Sequence, residues 1–352
     1  MELKPGKIAL IGLGETSASG GKTFETVLRN LRASPKIAVL ETPAGFELNS
    51  PQVAGKVGEY LAKRLQNFHP QIEVIPARKR GTEFSPDNPA ILRPLFDADL
   101  IFFGPGSPTY TVRQLENSLA WEWIWARHLL GAALVVASAA TIALGSLALP
   151  VYEIFKVGED PHWKPGLRFF EPYGLNLVII PHWNNNQGGD EVDTSHCFIG
   201  KLRFELLMEH LPPHARVIGI DEHTSLIMDF QSREATVQGR SNVHVLGTHE
   251  EYTFQSGEKF SLEILGNLQI PSSIETILSP TIWAQALAFQ NTATSPDNAA
   301  PTIPREITTL VEEREKARLA RNWEKADSLR KQILEMGYVI RDTPHGPEIL
   351  PA

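Results

Sequence analysis

The chain alternates short apolar runs with stretches of helical periodicity. Lys7–Gly12, Lys36–Leu40, Ile72–Ile75, Asp99–Phe103 and Ala133–Ala137 are short runs rich in β-branched and aliphatic residues, as in strands buried on both faces. Between them, apolar positions recur at helical spacing over Thr23–Leu31, Val53–Phe68, Pro89–Phe96 and the tryptophan-rich Val112–Leu130. Strands alternating with helices predict a doubly wound, mostly parallel α/β sheet. A further strand at Leu177–Ile180 and a helix at Phe198–Leu211 follow. Short alternating runs at Val217–Ile220, Ser225–Met228, Thr236–Gln238, Val243–Leu246 and Glu251–Phe254 predict an antiparallel β extension at the sheet edge.

Composition changes the picture only near the end. Asn291–Pro304 is rich in Thr, Pro, Asn and Ala and is expected to be a linker. Beyond it come two charged helices, Glu306–Arg321 and Trp323–Met336, then Gly337 at a helix C′ position. Two strands, Tyr338–Arg341 and Glu348–Leu350, are expected around a Pro344-His345-Gly346 turn. The expected organisation is an α/β domain over 1–275, a helix and linker over 276–303, and a helical hairpin plus β-hairpin over 304–352. The last segment carries nine Lys/Arg and nine Asp/Glu, so it is neutral overall.

Formal charge over all 352 residues is -8, which argues against a general nucleic-acid-binding surface. The single cysteine, Cys197, excludes an intramolecular disulfide and a Cys-rich zinc site. Met1-Glu2-Leu3-Lys4-Pro5 has no signal-peptide character, and no uncharged apolar run has membrane-spanning length. The expectation is a cytoplasmic protein with no membrane association.

Candidate chemistry centres on Val135-Val136-Ala137-Ser138-Ala139-Ala140. A strand ending on one serine, followed at once by small helix-compatible residues, is the layout of a nucleophile elbow. A serine hydroxyl needs a base, and His182 ends a strand at the same sheet edge. A carboxylate must orient the imidazole. Glu153 follows the helix after the elbow, and Glu159, Asp160 and Glu171 compete with it. Backbone N–H groups at Gly106 and Ala139 are placed to form an oxyanion hole. Gly21-Lys22-Thr23 suggests a phosphate-binding loop, but Thr16 stands where that pattern needs glycine. Asp190, Asp193, His196 and Cys197 follow no zinc spacing, so no metal and no cofactor are expected.

Phe102-Phe103-Gly104-Pro105-Gly106-Ser107, the elbow, Ile180-Pro181-His182-Trp183 and Ile218-Gly219-Ile220-Asp221-Glu222 occur in the order seen in the peptidase E and cyanophycinase family, which this chain resembles from about Lys7 to Leu265. The resemblance implies a class I glutamine-amidotransferase-like fold and a serine peptidase acting on a small peptide or amide. It matches Ser138 to the nucleophile, His182 to the base, Glu153 to the acid, and Gly106 and Ala139 to the oxyanion donors. Ser107, Trp183 and Asn184 fall at substrate-binding positions. The family's elbow is close to Gly-x-Ser-Ala-Gly-Ala, and Val136 and Ala140 stand here at its glycines. The tail, through Glu312–Arg318, Trp323–Arg330 and Arg341–Gly346, resembles the C-terminal segment of cysteinyl-tRNA synthetase, which implies a tRNA or protein partner. An inactive amidotransferase-like domain binding a ligand or partner is the alternative, separated from the first by the direction in which the Ser138 hydroxyl points.

Overall fold

The computed structural model describes residues 3–29, 31–247, 250–294, 305–320, 322–343 and 346–351. The chain divides into two compact units, Met1–Gln290 and Asn291–Ala352. Residues 295–304 of the expected linker, Arg321 and the Pro344-His345 turn lie outside the described residues.

The first unit opens with β1 (Ile8–Ile11), α1 (Ala18–Leu28), β2 (Lys36–Leu40), α2 (Ser50–Arg64), β3 (Gln71–Ile75) and β4 (Leu100–Phe103). Next come α3 (Pro108–Leu115), α4 (Leu119–Leu129), β5 (Ala133–Ala137), α5 (Ala139–Ala143), β6 (Leu147–Ala148), β7 (Lys164–Pro165) and β8 (Leu177–Ile180). The single turn α6 (Ser195–Phe198) and α7 (Lys201–Glu209) lead to β9 (Arg216–Ile220), β10 (Thr224–Asp229), β11 (Glu234–Gly239), β12 (Asn242–Leu246), β13 (Glu251–Gln255) and β14 (Lys259–Ser261), and the unit boundary at Gln290 falls inside α8 (Pro280–Thr294).

Among the described residues, an eight-stranded sheet runs β14-β11-β10-β1-β5-β4-β2-β3. The pairs from β1 to β3 are parallel, and β10, β11 and β14 extend the sheet antiparallel beyond β1. Strand alternation builds a core on each face. In β5, Leu134 and Val136 join one cluster, whereas Ala133, Val135 and Ala137 join the other with Phe24, Val57 and Leu61 of α1 and α2. The antiparallel extension is only part of what the later strands do. β8, β9, β12 and β13 form a separate four-stranded sheet whose apolar residues join the Leu134–Val136 core, and within it β9 pairs parallel to β8.

Two expected helices differ. Val112–Leu130 is two helices, because Asn117 takes a left-handed φ of 55° and Ser118 starts α4 by accepting a hydrogen bond from Trp121 N. Pro89–Phe96 holds only a single 3-10 turn at Arg93–Leu95, whose Pro94 has no N–H to donate.

The second unit contains α9 (Arg305–Leu319), α10 (Trp323–Glu335), β15 (Tyr338–Thr343) and β16 (Gly346–Pro351), with the strands paired antiparallel. Ile307, Val311, Ile333 and Ile340 form its core.

A buried polar pair sits in the first unit's aromatic core. His128 is fully buried, its Nε2 lies 2.6 Å from the Tyr173 hydroxyl, and Trp125 and Phe169 stack beside it. Burial pushes the His128 imidazole down to about 3, so it is neutral in the fold. The unfolded chain binds this proton from about pH 6.5 downward, so stability is full above that pH and falls as pH drops toward 3, by up to about 1.4 kcal/mol per unit. Urea midpoints measured across this window should show the decline, and His128→Asn should flatten it.

Candidate active site

Ser138 sits between β5 and α5 with φ 52° and ψ -118°, a conformation that costs a non-glycine residue of order 1–3 kcal/mol. Its backbone is fixed on both sides. Ser138 N donates to Ile11 O of β1 at 3.1 Å, and Thr141 N donates to Ser138 O at 3.0 Å. The parallel β1–β5 register carries the serine to the carboxyl edge of the sheet.

His182 ends the run from β8 with φ 50° and is almost fully buried. Its carbonyl accepts the N–H of both Asn185 and Cys197, each at 3.1 Å, which holds the turn. Ser138 Oγ lies 2.8 Å from His182 Nε2, and His182 Nδ1 lies 3.1 Å from Glu222 Oε1. An ionised carboxylate only accepts, so Nδ1–H donates to Glu222 and Nε2 is left to accept the serine proton. Asn185 Nδ2 donates to the same Oε1 at 2.7 Å, and Glu222 N donates to Asn184 Oδ1 at 2.8 Å. The His182 hydrogen bond, helped by Asn185 and opposed by burial, holds the Glu222 carboxyl below its ordinary value.

The structure thus brings Ser138 and His182 together, while the carboxylate on His182 is Glu222 rather than the expected Glu153. Glu153 turns to Lys164 Nζ at 3.5 Å. The alternation over Val217–Ile220 predicts an antiparallel extension, and on that pairing Glu222 is not brought to His182. As a parallel neighbour of β8, β9 delivers its carboxyl end to the same edge as His182. Strand alternation then sends Asp221 the other way, where it accepts from Ser241 Oγ and Asn242 N.

A cavity of about 280 Å³ opens on Ser138, and Gly106 and Ala139 both line it. Neither spends its N–H on an acceptor among the described residues. Gly106 has φ 149° and lies so close to Pro43 that a Cβ would stand 1.9 Å from Pro43 O. The three expected substrate contacts line no part of this cavity. Ser107 caps α3 by accepting from Tyr110 N at 3.2 Å. Trp183 packs against His196, Phe204 and His244 on the seat left by Gly219. Asn184 holds the Glu222 backbone. Cys197 does line the cavity, but burial pushes its thiol well above the ordinary range and keeps it protonated. Asp193 ties the loop by accepting from Ser195 N and Lys201 N at 2.9 and 2.7 Å. Among the described residues, no group of three or more His, Cys, Asp or Glu is arranged to hold a metal ion, and no helix is long and apolar enough to cross a membrane.

Comparison with known proteins divides the chain. Residues 300–347 match the family described as the cysteinyl-tRNA ligase anticodon binding domain. The cysteine–tRNA ligase of Chlamydia abortus is 50% identical over 54 residues, 15% of this chain and 11% of that protein. The chain therefore spans about a tenth of the length of the curated relatives it matches. The first unit has the fold of a solved peptidase from an acI-B1 Actinobacterium, with TM-score 0.60, 23% identity, and coverage of 74% of this chain and 98% of that one. A solved putative peptidase E protein from Listeria monocytogenes aligns with TM-score 0.42 and 14% identity over 71% of this chain and 98% of its own.

The Gly106 turn offers a stability test. Gly106→Ala should cost about 1–3 kcal/mol, since it adds both left-handed strain and a clash with Pro43 O. Gly81→Ala, with φ 74° but open space around the position, should cost about 1 kcal/mol from the backbone alone. Urea denaturation of the two variants checks the order.

Proposed function

We propose that the first unit is a serine hydrolase of the peptidase type acting on a small peptide or amide. Ser138 is its nucleophile, His182 its general base and acid, and Glu222 the carboxylate that orients the imidazole. The observation that carries this reading is the Ser138 Oγ–His182 Nε2 distance of 2.8 Å, made from a serine in the strained elbow conformation. The hydroxyl faces the imidazole, which favours the hydrolase over an inactive ligand-binding domain. In the reaction, the Ser138 proton passes to Nε2 as Oγ attacks the carbonyl. The N–H groups of Gly106 and Ala139 receive the developing oxyanion. The imidazolium then gives its proton to the leaving amine, and water repeats the sequence on the ester. Asn185 supports Glu222 and so acts through the carboxylate.

A serine-reactive phosphonate should label the protein, and Ser138→Ala should abolish labelling. His182→Ala should lower the rate by about 100-fold or more, because the base is missing. Glu222→Gln should lower it substantially, whereas Glu153→Gln should leave the labelling rate near that of the wild type. Failure of the folded wild-type protein to label would overturn the reading.

For the second unit we propose weak tRNA contact, on the strength of its match to the anticodon binding domain. Arg314, Arg318, Arg321 and Lys325 are the cations at helical spacing that we propose track the phosphates, and they are not equivalent. Lys325 is exposed and Arg318 half-buried, but Arg314 is buried and bonded to Glu315 at 3.0 Å. Arg321 lies outside the described residues. A gel shift with tRNA at low salt should weaken as salt rises and should be reduced by Lys325→Glu. Equal mobility shifts for the full chain and a chain ending at Pro304 would remove the proposal.

A further inference from the structure

The cavity over Ser138 is walled by two irregular segments. One is a π-helical turn, Glu153–Val157, which brings Phe155 and Lys156 to the cavity. The other is α6, where His196, Cys197 and Phe198 hold φ of 53°, 62° and 67° in succession, a left-handed turn that costs of order 1–2 kcal/mol per residue. That turn is stitched in place, with His196 N donating to Trp183 O at 2.9 Å and Cys197 N to His182 O at 3.1 Å. The two segments bring the Phe155 and Phe198 rings to 5.5 Å, and the Phe198 ring lies 5.8 Å from the His182 ring.

The remaining walls, Ile142 and Val151 among them, are largely apolar, and one charged side chain joins them. Lys156 places its Nζ 4.6 Å from the centre of the Phe155 ring. Lys164 and Lys201 are paired with Glu153 and Glu205, but among the described residues no carboxylate pairs with Lys156. The volume, about 280 Å³, falls just below that of most small-molecule sites, which run from roughly 300 to 1,000 Å³.

We infer that the residue released from the substrate is an apolar amino acid with a free α-carboxylate, its side chain packed against the wall made by the touching Phe155 and Phe198 rings and its carboxylate at Lys156. The inference rests on the hydrolase reading and names the substrate class for that site. Phe198 marks the leaving-group side because it stands beside His182, the group that protonates the departing amine. The Ser138 Oγ–carbonyl carbon bond forms as the serine proton moves to Nε2. The C–N bond breaks as that proton moves to the amine, and the free amino acid departs. Water then hydrolyses the ester. Lys156, exposed at the rim, offers its charge to the substrate carboxylate, whereas an acidic or basic side chain against the phenyl rings would lose hydration with no partner there.

The released amino acid is also a ligand for this subsite, so it should protect Ser138 from a small neutral reagent. The full chain is treated with diisopropyl fluorophosphate alone and with millimolar L-phenylalanine, L-leucine, L-leucinamide, L-aspartate or L-lysine. Protection is read as the ratio of inactivation half-times with and without amino acid for each variant, so changes in intrinsic labelling cancel. Phenylalanine and leucine should protect, and leucinamide, aspartate and lysine should not. Lys156→Met, a change at an exposed side chain, should weaken protection by leucine about tenfold, as for loss of one charge-assisted contact. Phe198→Leu should weaken protection by phenylalanine, and Lys201→Met should change nothing. Labelling without protection by any apolar amino acid, or equal protection by aspartate, would overturn the inference while leaving the hydrolase intact. Absence of labelling would overturn the hydrolase reading itself and the inference with it.

Discussion

The hydrogen bond from Ser138 N to Ile11 O is the contact on which the site depends. It extends the β1–β5 ladder by one step past the last strand residue, and the chain turns there into α5. The turn into α5 then forces φ to 52°, and the strain is tolerated because the surrounding sheet is buried and fully paired. The serine hydroxyl is thereby fixed at one point on the sheet edge, and every other functional group is positioned relative to it.

The groups that meet that point are held by similar means. His182 at φ 50° is kept by two N–H donors on its carbonyl. The left-handed turn at His196–Phe198 is kept by its bonds to His182 and Trp183, and by Asp193 bridging Ser195 N and Lys201 N. The turn and the histidine share those backbone bonds, so the wall of the cavity and His182 are one mechanical piece. A change that relaxed Phe198 would move His182 as well. Gly106 completes the arrangement from the opposite side, pressed against Pro43, with Ser107 N donating to Pro43 O at 3.0 Å.

The parallel strands were legible because each is a short apolar run whose alternate residues serve two cores, as Leu134 and Val136 against Val135 and Ala137 show. Ser138 and His182 were legible because each follows such a run directly. Glu222 was not, since Val217–Ile220 carries the same alternation whether its neighbour is parallel or antiparallel, and pairing direction decides which carboxylate reaches the histidine. Trp183 and Asn184 were misplaced for a related reason. Their positions beside His182 in sequence suggest the substrate, but the Trp183 indole packs on Gly219 and Asn184 accepts from Glu222 N. The π-helical turn at Glu153–Val157 has no sequence signature of its own, so Phe155 and Lys156 could be found only in the structure.

The elbow forms here without the glycines of the pattern it resembles, and the reason is visible in the packing. Val136 is a strand residue in register with Leu10 and Phe103, fully buried, and its side chain belongs to the core rather than to the turn. Ala140 is also fully buried, in the first turn of α5, and its Cβ joins the same cluster. Neither residue has positive φ, so neither position demands glycine for its backbone conformation. What glycine would supply is close approach between strand and helix, and here the two added side chains fill that space as apolar packing. The only residue at which the turn imposes left-handed strain is Ser138 itself. The elbow without flanking glycines therefore still turns Oγ toward His182, 2.8 Å from its Nε2.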